Sequence, residues 1–383
     1  MHVEQLEKPV ADAKVSAPNV RQSNAKIDSL TGLRFIAASL VFLCHTHSST
    51  NLPIFMRIFL SSGYNGVTLF FILSGFVLCY NYYDDFIKWF APTLKSFFVA
   101  RFARIYPLHF LIFLLFFASV SISDQLQHHF QSILAQITLT QAWSSDPSVT
   151  FSYNSPAWSV STEAFLYICF PLLVMLLFKR ATKIGHLCLI GVVSFSAIFF
   201  LATGFSLHGT SVSSADLFWL NTLPVTRLGD FILGCVAARM YVIHTSKPIS
   251  PTEQVLGITL LLLCIAAVIV LMGSSNTFLY PYKYDAGYSL FFVFIIYALA
   301  RYGSPLSTFL STKVLVLLGE ASYAFYLLHL LFIYHALAPL YISAQFGADL
   351  FVVMEYLLVV VVSLGAYTYV EKPLRKKIRQ LFA

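Results

Sequence analysis

LIFLLFFASV at 111–120 and LLLCIAAVIV at 261–270 are runs without a single charged residue. A transmembrane strand alternates polar and apolar residues in segments of about ten. Unbroken runs of this kind read instead as bilayer-crossing helices. The rest of the chain has the same character: of 383 residues, 58% are hydrophobic, 16% aromatic and only 11% charged. A soluble domain carries roughly a quarter charged residues, so that class is excluded, and the aromatic content suits helix ends at the membrane interface.

A helix needs about 20 residues to cross the hydrocarbon core. Spans are expected near 30–48, 65–83, 104–122, 157–178, 184–203, 223–243, 254–272, 286–302, 319–339 and 349–369. The apolar stretch 305–318 is too short and reads as a helix lying in the interface or re-entering. With ten spans and the N-terminus inside, cytoplasmic segments collect nearly all of the 24 Lys and Arg residues, leaving only Arg57, Arg227 and Lys283 elsewhere. A missed span would switch every later loop and erase this asymmetry. The expected architecture is therefore an all-α polytopic membrane bundle of about ten transmembrane helices, both termini cytoplasmic. A flexible cytoplasmic tail (1–27), a membrane domain (28–371) and a basic cytoplasmic tail (372–383) divide it. The net charge of +7 follows from cationic inner loops rather than from nucleic-acid binding. Residues 1–26 show no small-residue cleavage site, so no secretory signal peptide is expected. Six isolated cysteines in apolar stretches read as buried free thiols. The outer connections 123–156 and 205–222 carry no Lys or Arg and read mostly as solvated loops.

Ionisable side chains inside spans are costly and mark candidate sites. Arg34 and His45 are separated by three helical turns plus about 20°, so both leave the first helix on one face, about 16 Å apart along its axis. Arg101 and Arg104, in ARFARIYP, share a face at i, i+3 and form either a bidentate phosphate clamp or a membrane anchor. Glu163, in SPAWSVSTEAFLY, lies at a depth similar to His45 and is expected to orient its imidazole. Ser159, Ser161 and Thr162 are nearby hydroxyls or helix caps. In SYAFYLLH, Tyr326 and His329 share a face, with Ser322 and Tyr323 preceding. Arg227 and Asp230 read as a structural pair.

In this order the segments resemble acyltransferase family 3. LTGLRFIAASLVFLCH carries its Arg-x10-His spacing at Arg34 and His45. GYNGVTLFFILSGFVL matches its second span at Gly66, Val67, Phe70, Phe71, Ser74, Gly75 and Phe76. Arg101, Arg104 and Pro107, then Trp158, Ser159, Ser161 and Glu163, continue the pattern. The Ser322–Tyr323…Tyr326–Leu327–x–His329 element and Glu371–Lys372–Pro373 complete it. Thr68 stands where that family usually has an acidic residue, and Ala164 replaces a second glutamate.

The resemblance implies a multi-pass enzyme of the bacterial cytoplasmic membrane. It would move an acyl group, commonly acetyl, from cytoplasmic acyl-CoA to a hydroxyl of a cell-surface polysaccharide, glycolipid or small metabolite, without a metal. His45, Glu163 and Arg34 are then the candidate catalytic residues, with His45 as general base. Arg101, Arg104 and Arg34 would hold the donor's phosphates. Ser159, Ser161, Tyr323, Tyr326 and His329 would line the cavity. Many relatives carry a further extra-cytoplasmic domain; as the sequence ends at Ala383, transfer is expected to finish here or with a separate partner. The competing reading is a multi-span transporter or exporter of small molecules or lipid-linked glycans.

Overall fold

A computed structural model describes residues 26–46, 52–118, 130–208, 213–333 and 348–382. No strand occurs among them. The principal helices are α1 (Asp28–Thr46), α2 (Gly66–Lys88), α3 (Phe90–Phe117), α4 (Trp158–Leu173), α5 (Ile184–His208) and α6 (Leu228–Thr245). They continue with α7 (Pro251–Gly273), α8 (Ala286–Arg301), α9 (Lys313–Leu331), α10 (Ala348–Ala366) and α11 (Lys372–Phe382). Nine candidate spans meet the length and apolarity of a membrane crossing among the described residues. The tenth is α8 together with Thr277–Lys283, bent by 53°. The chain is a polytopic helical membrane protein.

Several elements differ from the sequence expectation, each for a local reason. The third span begins well before 104, because α2 and α3 are interrupted only at Trp89 (φ −138°, ψ 58°). Arg101 therefore sits about 16 Å inside α3, mid-helix rather than at a helix entrance. The ninth span starts at Lys313, directly after a short helix Pro305–Leu310 that Ser304 opens with a capping box. The sixth starts only at Leu228, leaving Arg227 at its N-cap. Pro171, which lacks an N–H, precedes a π-helical turn at Val174–Phe178. The terminal segment read as a tail is the helix α11.

Burial orders the bundle. The α2 span is 83% buried, whereas only 17% of the α5 span is, and α5 and α7 turn Leu189, Val192, Phe200, Leu262 and Val270 outward. The α2–α6 crossing is close enough to require glycine on both sides. A Cβ at Gly75 would lie 2.0 Å from the Phe231 carbonyl oxygen, and one at Gly234 would lie 2.0 Å from that of Ile72. Small residues at such crossings let helix backbones approach in lipid. Gly75→Leu is expected to destabilise the purified protein by about 1–3 kcal/mol through overpacking. Gly365→Leu, with nothing within 4 Å of the new Cβ, should be neutral; equal thermal midpoints would refute the contrast.

The described part of the outer connection is packed rather than solvated. Gln136 donates to Ser152 O (2.8 Å), Gln141 to Ala157 O (2.8 Å) and Asn154 to Leu327 O (3.0 Å). These bonds satisfy buried amides and tie residues 136–157 to α9. At the other end Lys26, Arg375 and Arg379 line one cavity, so the start of α1 and helix α11 meet at the same basic end of the bundle.

Candidate active site

A cavity of ≈ 270 Å³ opens among α1, α2, α3, α4, α9 and α11. Its lining includes Arg34, Ser74, Arg101, Arg104, Ser159, Glu163, Tyr167, Glu320, Tyr323 and Tyr326, with Lys26, Arg375 and Arg379 at the basic end. Seven sequence-expected site residues, Ser159 among them, thus converge from four helices.

The cations are not equally compensated. Arg104 pairs with buried Glu371, which Arg375 also approaches at 3.8 Å. Lys26 pairs with Glu320 at 2.7 Å, and Tyr367 donates to the same carboxylate at 2.7 Å. Arg101 donates to the Tyr82 hydroxyl (3.2 Å) and lies 5.4–5.9 Å from the ring centroids of Tyr82, Phe97 and Tyr167. Neither Arg101 nor half-buried Arg34 forms an ion pair with a carboxylate among the described residues. Guanidiniums held in a low-dielectric interior without a direct carboxylate pair are costly.

Glu163 does not orient His45 as the sequence suggested. Tyr167, one turn along α4, donates to its carboxylate, and Ser74 does so at 3.4 Å. The carboxylate belongs to the guanidinium end, within electrostatic reach of Arg34 and Arg104. Ser159 bonds the Tyr326 hydroxyl at 2.9 Å. Ser161 is fully buried away from the cavity, donating to Leu139 O at 2.6 Å, and so fastens the outer connection instead. Thr162 likewise donates to Thr222 O. Tyr323 donates to Ile105 O at 2.6 Å, with Arg104 over its ring.

His45 and His329 lie beyond the cavity lining, against each other. Their ring centroids are 5.1 Å apart, and the His329 ring is 5.8 Å from that of Tyr326. Tyr326 joins the two places: its hydroxyl meets Ser159 in the cavity wall, and its ring lies beside His329. In each histidine Nδ1 faces a backbone carbonyl of its own helix, Val41 O at 2.9 Å and Tyr326 O at 2.6 Å. A carbonyl only accepts, so Nδ1 carries the proton and Nε2 the lone pair in both neutral rings.

Sequence reasoning missed Tyr82, Tyr167, Arg375 and Arg379, and named Glu371 only within the Glu371–Lys372–Pro373 element. Tyr167 was readable as the i+4 neighbour of Glu163. Glu371, Arg375 and Arg379 follow one another at i+4 steps, a one-face pattern overlooked because the tail was counted only as positive charge.

A family profile described as "Acyltransferase domain", that of acyltransferase family 3, matches residues 27–370. The chain belongs to this family and is a membrane acyltransferase. It is 30% identical over 326 residues to acyltransferase MdmB of Streptomyces mycarofaciens, covering 80% of this chain and 79% of that one. It is 24% identical over 378 residues to the O-acetyltransferase OatA of Staphylococcus aureus, covering 93% of this chain but only 58% of OatA. No solved structure matches the chain.

Proposed function

We propose that the chain is an O-acyltransferase of a bacterial cytoplasmic membrane that takes its acyl group, commonly acetyl, from cytoplasmic acyl-CoA. The observation that carries this reading is the pair Arg34 and Arg101, facing one cavity at the basic end without carboxylate partners. Lys26, Arg34, Arg101, Arg104, Arg375 and Arg379 line that cavity against Glu163 and Glu320. The phosphates of coenzyme A carry about four negative charges, which this excess of guanidinium matches in sign and planar geometry. Arg34 and Arg101 bind phosphate, Arg104 is steadied by Glu371, and Glu163 with Tyr167 keeps the guanidiniums spaced.

The pantetheine arm follows the path past Tyr326 and presents the thioester to His45, about 16 Å along α1 from Arg34. His45 Nε2 takes the proton of the acceptor hydroxyl as its oxygen attacks the acyl carbon. The acceptor is a hydroxyl-bearing glycan, glycolipid or small metabolite approaching from the end poor in Lys and Arg.

Titration of purified protein with acetyl-CoA tests the donor site. Arg101→Ala is expected to weaken binding about ten- to a hundredfold, the worth of charge-assisted hydrogen bonds. The Arg375→Ala/Arg379→Ala double variant should lose only about threefold and become less salt-sensitive, since Arg379 is exposed and screened. Wild-type affinity in Arg101→Ala would refute the donor assignment.

A further inference from the structure

We propose that His329 is the electrostatic partner of His45, favouring the imidazolium that transfer creates; this rests on His45 being the base. His329 is 1% exposed, and its Nε2 has no hydrogen-bond partner among the described residues. With the proton fixed on Nδ1 by Tyr326 O at 2.6 Å, that Nε2 is a buried lone pair. Burying an unpaired acceptor costs stability, so its retention calls for an explanation. The surroundings supply one. Among the described residues, Phe42 lies 6.5 Å from the His329 ring and Tyr326 5.8 Å, and the remaining ring neighbour is His45 at 5.1 Å.

His45 is half-buried, so a positive charge on its ring is only partly solvated. The negative end of the His329 dipole, preoriented by its carbonyl bond, meets that charge without reorganisation. This is the role the sequence had suggested for Glu163, whose carboxylate is held by Tyr167 and Ser74. In the reaction the acceptor oxygen bonds the acyl carbon and the carbon–sulfur bond breaks. The hydroxyl proton passes to His45 Nε2 and from there to the departing thiolate. His329 keeps its own proton throughout. It is a positioning residue, acting through His45.

Steady-state kinetics with acetyl-CoA on the full-length protein separate this role from packing. His329→Leu, of similar bulk but without a lone pair, should lower kcat about tenfold or more, with the donor KM within about twofold. His329→Gln can set an amide oxygen near the Nε2 position and should recover most of kcat. Equal effects of Leu and Gln, or a loss confined to KM, would overturn the proposal. Should the Leu variant not accumulate, Gln against Asn reads the same contrast, because the shorter amide reaches only the Nδ1 position. His45→Ala is run alongside. If it retains transfer, the base reading fails; if it abolishes transfer while His329→Leu keeps wild-type kcat, only the pairing fails.

Discussion

His45→Ala is expected to lower acyl transfer about 10²–10⁴-fold, the usual contribution of a positioned general base, with donor affinity unchanged. The separation is the informative part. The ring of His45 sits against His329 rather than in the cavity lining, while Arg34 and Arg101 lie in that lining. Removing the imidazole therefore leaves the anion site intact. Its Nδ1 is held by Val41 O at 2.9 Å, which sets the tautomer with the lone pair on Nε2. Thioester consumption, followed as free thiol, gives the rate, and acetyl-CoA titration gives the affinity. Near-normal turnover in His45→Ala would remove the base from the mechanism. Acyl label trapped on the wild type without acceptor, and absent from the variant, would instead make His45 the acyl carrier.

The second large effect concerns stability. Arg227→Met is expected to destabilise the protein by about 3–5 kcal/mol, because breaking a buried ion pair strands the partner charge. Arg227 is fully buried. Its Nη1 pairs with Asp285 at 2.9 Å and donates to Asp230 (3.4 Å) and Thr68 (3.3 Å), while its Nε donates to Asn221 O (2.6 Å). Ser289 bonds both carboxylates, at 2.8 and 3.0 Å. This cluster joins α2, α6 and the start of α8. Two aspartates around one arginine leave no spare cation, so the single variant buries uncompensated carboxylate. Combining it with Asp230→Asn and Asp285→Asn removes the charges together and should restore much of the loss. Thermal unfolding in one detergent measures all forms; a single variant as stable as wild type would contradict the account. Thr68 belongs to the same network, accepting from Arg227 at 3.3 Å.

The bundle was legible because the signals for it are local. Apolar run length reports the cost of exposing backbone in lipid, and the Lys/Arg asymmetry reports orientation. Span positions were right to within a few residues where the run was clean, as at α8 and α4. They slipped where a single residue sets the boundary, as Trp89 does between α2 and α3. Arg34, Arg101, Arg104, Tyr323 and Tyr326 were named as candidate site residues and line one cavity, whereas Glu163 joins them there instead of His45.

Partners were another matter. Matched depth made Glu163 and His45 look like a pair, yet depth along two helices says nothing of the rotation between them. Ser161, two residues before Glu163, points away and ties down Leu139, while Ser159 reaches Tyr326. Glu371 and Arg104 are 267 positions apart, beyond any pattern in the chain.

From its sequence alone this protein is determined to be a helical membrane bundle with a short set of polar residues among its spans. Composition and period act residue by residue along one helix, which is why they suffice for that much. Which imidazole faces which, which guanidiniums keep a free charge and which serine serves structure were decided only in the tertiary packing. Those choices depend on helix rotation and crossing, quantities that long-range contacts alone determine.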